Sequence, residues 1–167
     1  TMDGIALRAG SGYTPSVRGI TVQGSQDLVI ENISIIDNQL GLHEGASVTL
    51  TSITATGITT PGTFAFGVTD STATFHQCNA SGGYGGMLIA GNSDVLLTDC
   101  TFTTSEFGVT VSGGDLYMQR GEISDITTGM GLGVTTQTGG LSSITVEDTS
   151  ILRTAQHGLL LDGNAGT

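Results

Sequence analysis

Tryptophan and lysine are both absent from this 167-residue chain, which also has only two prolines, two cysteines, three tyrosines and five phenylalanines. Four arginines face fifteen acidic residues, for a net charge of −11 and a pI near 4.1. A surface of that sign repels phosphate backbones and anionic headgroups, so nucleic acid is excluded as a partner. Acidic polysaccharide is disfavoured too, unless a cation bridges. No apolar run approaches the roughly 18 residues of a membrane-spanning helix, so membrane insertion is not expected. The acids are scattered along the chain, as on a solvated surface. Catalytic and metal-binding motifs are also missing. The three histidines, His43, His76 and His157, have no metal-ligand spacing, and the two cysteines have no histidine in register. No Ser/His/Asp set announces itself.

Glycine, by contrast, is abundant, with 27 residues. A glycine followed by an apolar residue recurs at Gly19, Gly41, Gly67, Gly86, Gly108, Gly133 and Gly158, at intervals of 22, 26, 19, 22, 25 and 25 residues. Within each unit lie three short segments of alternating character. The first holds Ile20/Val22, Met87/Ile89, Val109/Val111 and Leu159/Leu161. The second holds Leu28/Ile30, Val48/Leu50, Ala73/Phe75, Val95/Leu97, Leu116/Met118 and Ile144/Val146. The third holds Ile33/Ile35, Ile53/Ala55, Cys78/Ala80, Cys100/Phe102, Gly121/Ile123 and Thr149/Ile151. Period-two alternation puts these residues on one face and their spacers on the other. Three strands per unit, each a few residues long, fit a coil with three faces that stacks strand on equivalent strand. The expected fold is all-β: a parallel β-helix of about seven coils of 19–26 residues, forming one domain over residues 1–167.

Two polar ladders flank the second segment. Asp27, Ser47, Thr72, Asp94, Asp115 and Ser143 precede it; Asn32, Ser52, Gln77, Asp99, Arg120 and Asp148 follow it. Both read as turn chemistry, with side chains bonding nearby backbone. Stacking places Arg120 between Asp99 and Asp148, which predicts a surface ion pair. His76 faces outward between Thr51 and Thr98. No cofactor is expected, although stacked Asp94 and Asp115 keep calcium as a weak candidate. Outward ladders such as Ser34, Thr54, Asn79, Thr101, Glu122 and Ser150 are too mixed for the regular threonine array that ice binding requires. Extra length collects in loops around Arg8–Val17, Gly57–Ala65 and Thr127–Gly131, all at one corner. Insertions on one side of a solenoid often mark its binding face. Tyr13, Thr63, Phe64 and Met130 are therefore the candidate ligand-binding residues. Cys78 and Cys100 fall in the same repeat position; free buried thiols are the favoured reading, and a disulfide is the alternative.

The pattern "G-apolar-x-apolar … D/S-apolar-x-apolar-x-N/D-small-x-apolar" over Gly19–Gly166 resembles the pectin lyase-like right-handed parallel β-helices. Val48–Thr51 (VTLT) and Thr60–Val68 (TPGTFAFGV) are similar to units of large bacterial secreted β-helix repeat proteins. The resemblance implies right-handed coiling and an extracellular or cell-surface bacterial setting. It implies, as the leading function, a non-enzymatic structural or adhesive module that contacts carbohydrate or another surface protein. The alternative is a carbohydrate-active enzyme, a lyase or glycoside hydrolase, or part of one. No carboxylate pair of the hydrolase type lies within one coil. The chain opens and closes partway through a coil, so it reads as a fragment of a longer protein, and open strand edges predict end-to-end self-association.

Overall fold

In the computed structural model, residues 2–3, 6–8, 18–24, 27–135 and 143–162 are described. They form nineteen strands and no helix. Every pairing is parallel, and each strand lies beside its equivalent one coil away. The second face is a seven-stranded sheet. It runs through Met2–Asp3, Leu28–Glu31, Ser47–Thr51, Thr72–His76, Asp94–Thr98, Asp115–Gln119 and Ile144–Glu147. The first and third faces share strands. Asn79–Ala90 and Thr101–Ser112 start on the third face and run unbroken onto the first.

The inward ladders match the alternation read from the sequence. On the second face Ile30, Leu50, Phe75, Leu97 and Met118 stack. On the third face the ladder is Ile35, Ala55, Ala80, Phe102 and Ile123. All ten are buried. Ala55, Ala73 and Ala80 leave room for large rings: Phe66 lies 5.3 Å from Phe75 and 6.5 Å from Phe102, centroid to centroid. Small residues opposite large ones let the coil interior interdigitate without voids.

The glycine register needs correction. Two ladders exist where the sequence suggested one. Gly41 pairs with Gly67, and further along the same outward ladder Thr110 pairs with Gly133. Gly108, Gly131 and Gly158 form a second ladder two residues earlier, joined through the amides of Val109 and Leu132. Gly133 therefore stacks on Leu160 rather than Gly158. A two-residue slip keeps every side chain on its own face, so alternation cannot detect it. The slip also hid three buried members of the first-face ladder, Leu40, Phe66 and Leu132. Near Gly19 the pairing shifts again, by an irregularity between Arg18 and Ile20.

At two of the three corners the chain turns on single residues in the left-handed conformation. Between the second and third faces these are Asn32, Ser52, Gln77, Asp99, Arg120 and Asp148, at φ of 48° to 57°. Between the third and first faces they are Asp37, Gly57, Gly82, Thr104, Asp125 and Arg153. One such residue bends an extended chain sharply and leaves its N–H free for the next coil: Ser52 donates to His76 O at 2.9 Å and Gln77 to Thr98 O at 3.0 Å. The polar ladder after the second segment thus owes its composition mainly to backbone conformation, which Asn and Asp tolerate best. The ladder before it does use a side chain, since Ser143 N–H donates to Asp115 Oδ1 at 2.9 Å.

Gly57–Thr63 and Thr127–Gly131 both bridge the third and first faces, as the sequence indicated, while the expected loop at Arg8–Val17 lies outside the described residues but for Arg8. Leu132–Thr135 and Ile144–Glu147, on the first and second faces, are also separated by a longer stretch of sequence than their counterparts in the other coils. The shared glycine alignment had concealed it.

Candidate functional site

The corner between the third and first faces carries the candidate site. Thr63 N–H donates to Thr60 O at 3.1 Å, closing a turn with Pro61 at its second position and Gly62 at φ 80° at its third. That is a type II turn, which calls for this pair of residues. It delivers Phe64 to the rung of Gly85 and Phe107. The Phe64 ring lies where a Cβ at Gly85 would otherwise stand. Tyr84 packs edge-on against Phe64 at 5.7 Å and tilted against Phe107 at 5.2 Å. Phe107 in turn covers Gly129. Phe64, Tyr84 and Phe107 therefore form a row along the rod axis, one ring per coil. Phe64 is buried; Tyr84 and Phe107 are half-buried.

Of the residues picked from sequence, Phe64 sits in this row and Thr63 in the turn that places it. Met130 does not join them: its methyl lies against Gly133 on the first face. Tyr13 lies outside the described residues. The sequence reading missed Tyr84 and Phe107. The signal was available, because the three aromatics are spaced by 20 and 23 residues, one coil each.

A polar cluster occupies the corner between the second and third faces. Arg120 Nε and Nη2 donate to the two carboxylate oxygens of Asp99 at 2.8 and 3.0 Å. Arg120 Nη1 also donates to Gln119 Oε1 at 2.9 Å, and His76 Nδ1 lies 3.7 Å from Asp99 Oδ2. The hydrogen bonds from Arg120 hold the Asp99 carboxyl below the usual carboxylate range. A carboxylate so held is poorly matched to general acid–base work near neutral pH. Nearby, Tyr117 OH donates to Glu147 Oε2 at 2.6 Å, which pushes the phenol up. Arg153 clamps Asp125 in the same way at the next corner, at 2.5 and 2.8 Å. These groups pair coil to coil.

The remaining candidates are dispersed. Asp94 and Asp115 stack in adjacent strands. Among the described residues no three His, Cys, Asp or Glu side chains gather as a metal set. His43 folds over Gly41 of its own strand, and His157 is exposed. Cys78 and Cys100 are free thiols, both buried.

No curated protein and no solved structure matches the chain. The family described as the right-handed β-helix region matches residues 64–167, more than half of the sequence. Together with three parallel ladders of stacked coils, that match makes this chain a member of the right-handed β-helix family.

Proposed function

We propose that the chain is a non-enzymatic structural and adhesive module of a bacterial secreted or cell-surface protein. The supporting observation is the aromatic row of Phe64, Tyr84 and Phe107, at a corner where coil length varies. Half-buried rings on a rigid frame offer large contact area at little entropic cost, and aromatic anchors dominate recognition surfaces. A carbohydrate chain lying along the rod axis over the exposed parts of Tyr84 and Phe107, which pack with the buried Phe64 ring, is the ligand that suits this row best. The bacterial and extracellular setting rests on the resemblance of the repeat units. End-to-end contact between copies belongs to the same proposal.

The test is retention of the protein on immobilised neutral polysaccharides, with Tyr84→Ala and Phe107→Ala beside the unchanged chain. The proposal expects at least tenfold weaker retention for each variant with the circular dichroism spectrum intact. Equal retention by all three would sink the row as the contact surface. Release of new sugar ends from any substrate would move the protein to the enzyme reading.

A further inference from the structure

Cys78 and Cys100 occupy equivalent positions in adjacent coils, each directly after a left-handed corner residue, Gln77 and Asp99. Backbone bonds fix their spacing from both sides. Gln77 N–H donates to Thr98 O at 3.0 Å, and Thr101 N–H donates to Cys78 O at 2.9 Å. Neighbouring strands lie about 4.8 Å apart, inside the Cα window of roughly 4.4–6.8 Å that disulfides occupy. Cys100 Sγ already leans into the coil that carries Cys78, reaching Phe75 O at 3.5 Å. Cys78 Sγ leans the same way, toward Leu50 O at 3.6 Å. The two thiol groups already lie within side-chain hydrogen-bonding reach of each other. The next ladder position is Gly121, whose missing side chain leaves room that the flexible Met118 side chain fills, beside the Cys100 carbonyl oxygen.

We infer that Cys78 and Cys100 are an oxidisable pair whose disulfide staples two central coils together. The reaction needs a disulfide oxidant of the oxidised-glutathione class. One cysteine gives up its proton and attacks a glutathione sulfur, releasing one reduced glutathione. The other then gives up its proton and attacks the mixed disulfide, releasing the second. Two electrons pass from the protein to the oxidant, and one intramolecular S–S bond forms. Each side chain is only 1% exposed, so exchange occurs while the coils assemble rather than in the finished rod. The rod is then unlocked where thiols stay reduced and locked where they are oxidised. This inference does not rest on the adhesive reading.

The experiment refolds the full chain from denaturant in glutathione buffers running from reducing to oxidising. Each sample is quenched with a maleimide and measured by intact mass and peptide mapping. The expected result is a species lighter by two hydrogens, without maleimide, carrying a Cys78–Cys100 cross-link and melting several degrees higher than the reduced form. Cys78→Ser and Cys100→Ser should each take up one glutathione and form no internal bond. Two maleimide adducts in the most oxidising buffer would overturn the inference, as would glutathione adducts on the unchanged chain. A bond that forms without raising the melting temperature would overturn the stapling role. Cys→Ala versions serve if the serine variants fail to fold.

Discussion

Arg120 reaches back one coil to grip Asp99 with two hydrogen bonds, and both residues hold the left-handed backbone conformation that turns the chain. The pairing draws the Asp99 carboxyl below its ordinary range, and Arg153 does the same to Asp125. A carboxylate with a depressed folded-state pKa adds stability above its unfolded-state pKa and loses it as pH falls through the folded one. Asp99→Asn should therefore melt below the unchanged chain at neutral pH. The gap should close on acidification through the carboxylate range and shrink in high salt. Melting temperature against pH for both proteins checks this; a gap independent of pH contradicts it.

Left-handed corners are tolerable for Asn, Asp and Gly and costly for other residues, by about 1–2 kcal/mol. Gln77, at φ 53°, is one of the costly ones. Gln77→Gly should stabilise the fold by up to about 1 kcal/mol, once the added unfolded-state freedom of glycine is subtracted. Gly114→Ala should do the reverse. Its φ is 83° and its Cβ would press on the Ser93 backbone, for a loss of at least about 1–2 kcal/mol. Urea unfolding of the two variants reads both signs.

Phe102 is fully buried and touches the Phe66 ring. Phe102→Ala should cost about 3–5 kcal/mol, the usual figure for emptying a packed aromatic site. The loss should appear as a lower denaturant midpoint with an unchanged slope, since the exposed area stays nearly the same.

Tyr117 should be among the last tyrosines to ionise, because Glu147 holds its phenolic proton. Ultraviolet titration should show a late step that Tyr117→Phe removes. Glu147→Gln should bring that step down toward the ordinary phenol range. A titration curve identical in all three proteins would contradict the bond.

The inward ladders were legible because alternation at period two is imposed by the pleat, whatever the partner strand. The ion pair of Arg120 with Asp99 was legible for a related reason: equal position in the repeat means adjacency in a stack. Register along the first face was not. Gly133 and Gly158 look equivalent in sequence, yet Gly133 meets Leu160, because a two-residue shift leaves all faces unchanged. The candidate site was half legible. Phe64 stood out in an insertion, whereas Tyr84 and Phe107 lie inside continuous strands that show no break. Only the coil-length spacing of the three rings marks them, and the misplaced glycine register obscured that count.

In-register parallel stacking underlies the core, the corners and the aromatic row, and one distance tests it. Val29 and Thr145 face outward on a single ladder, linked through Thr49, Thr74, Leu96 and Tyr117. Five steps of about 4.8 Å separate them, or roughly 24 Å. Spin labels on Val29→Cys and Thr145→Cys, read by pulsed electron resonance, should give one narrow distance distribution near that value, since both labels project from the same face. A broad distribution, or a narrow one far from it, would contradict the stacked coil.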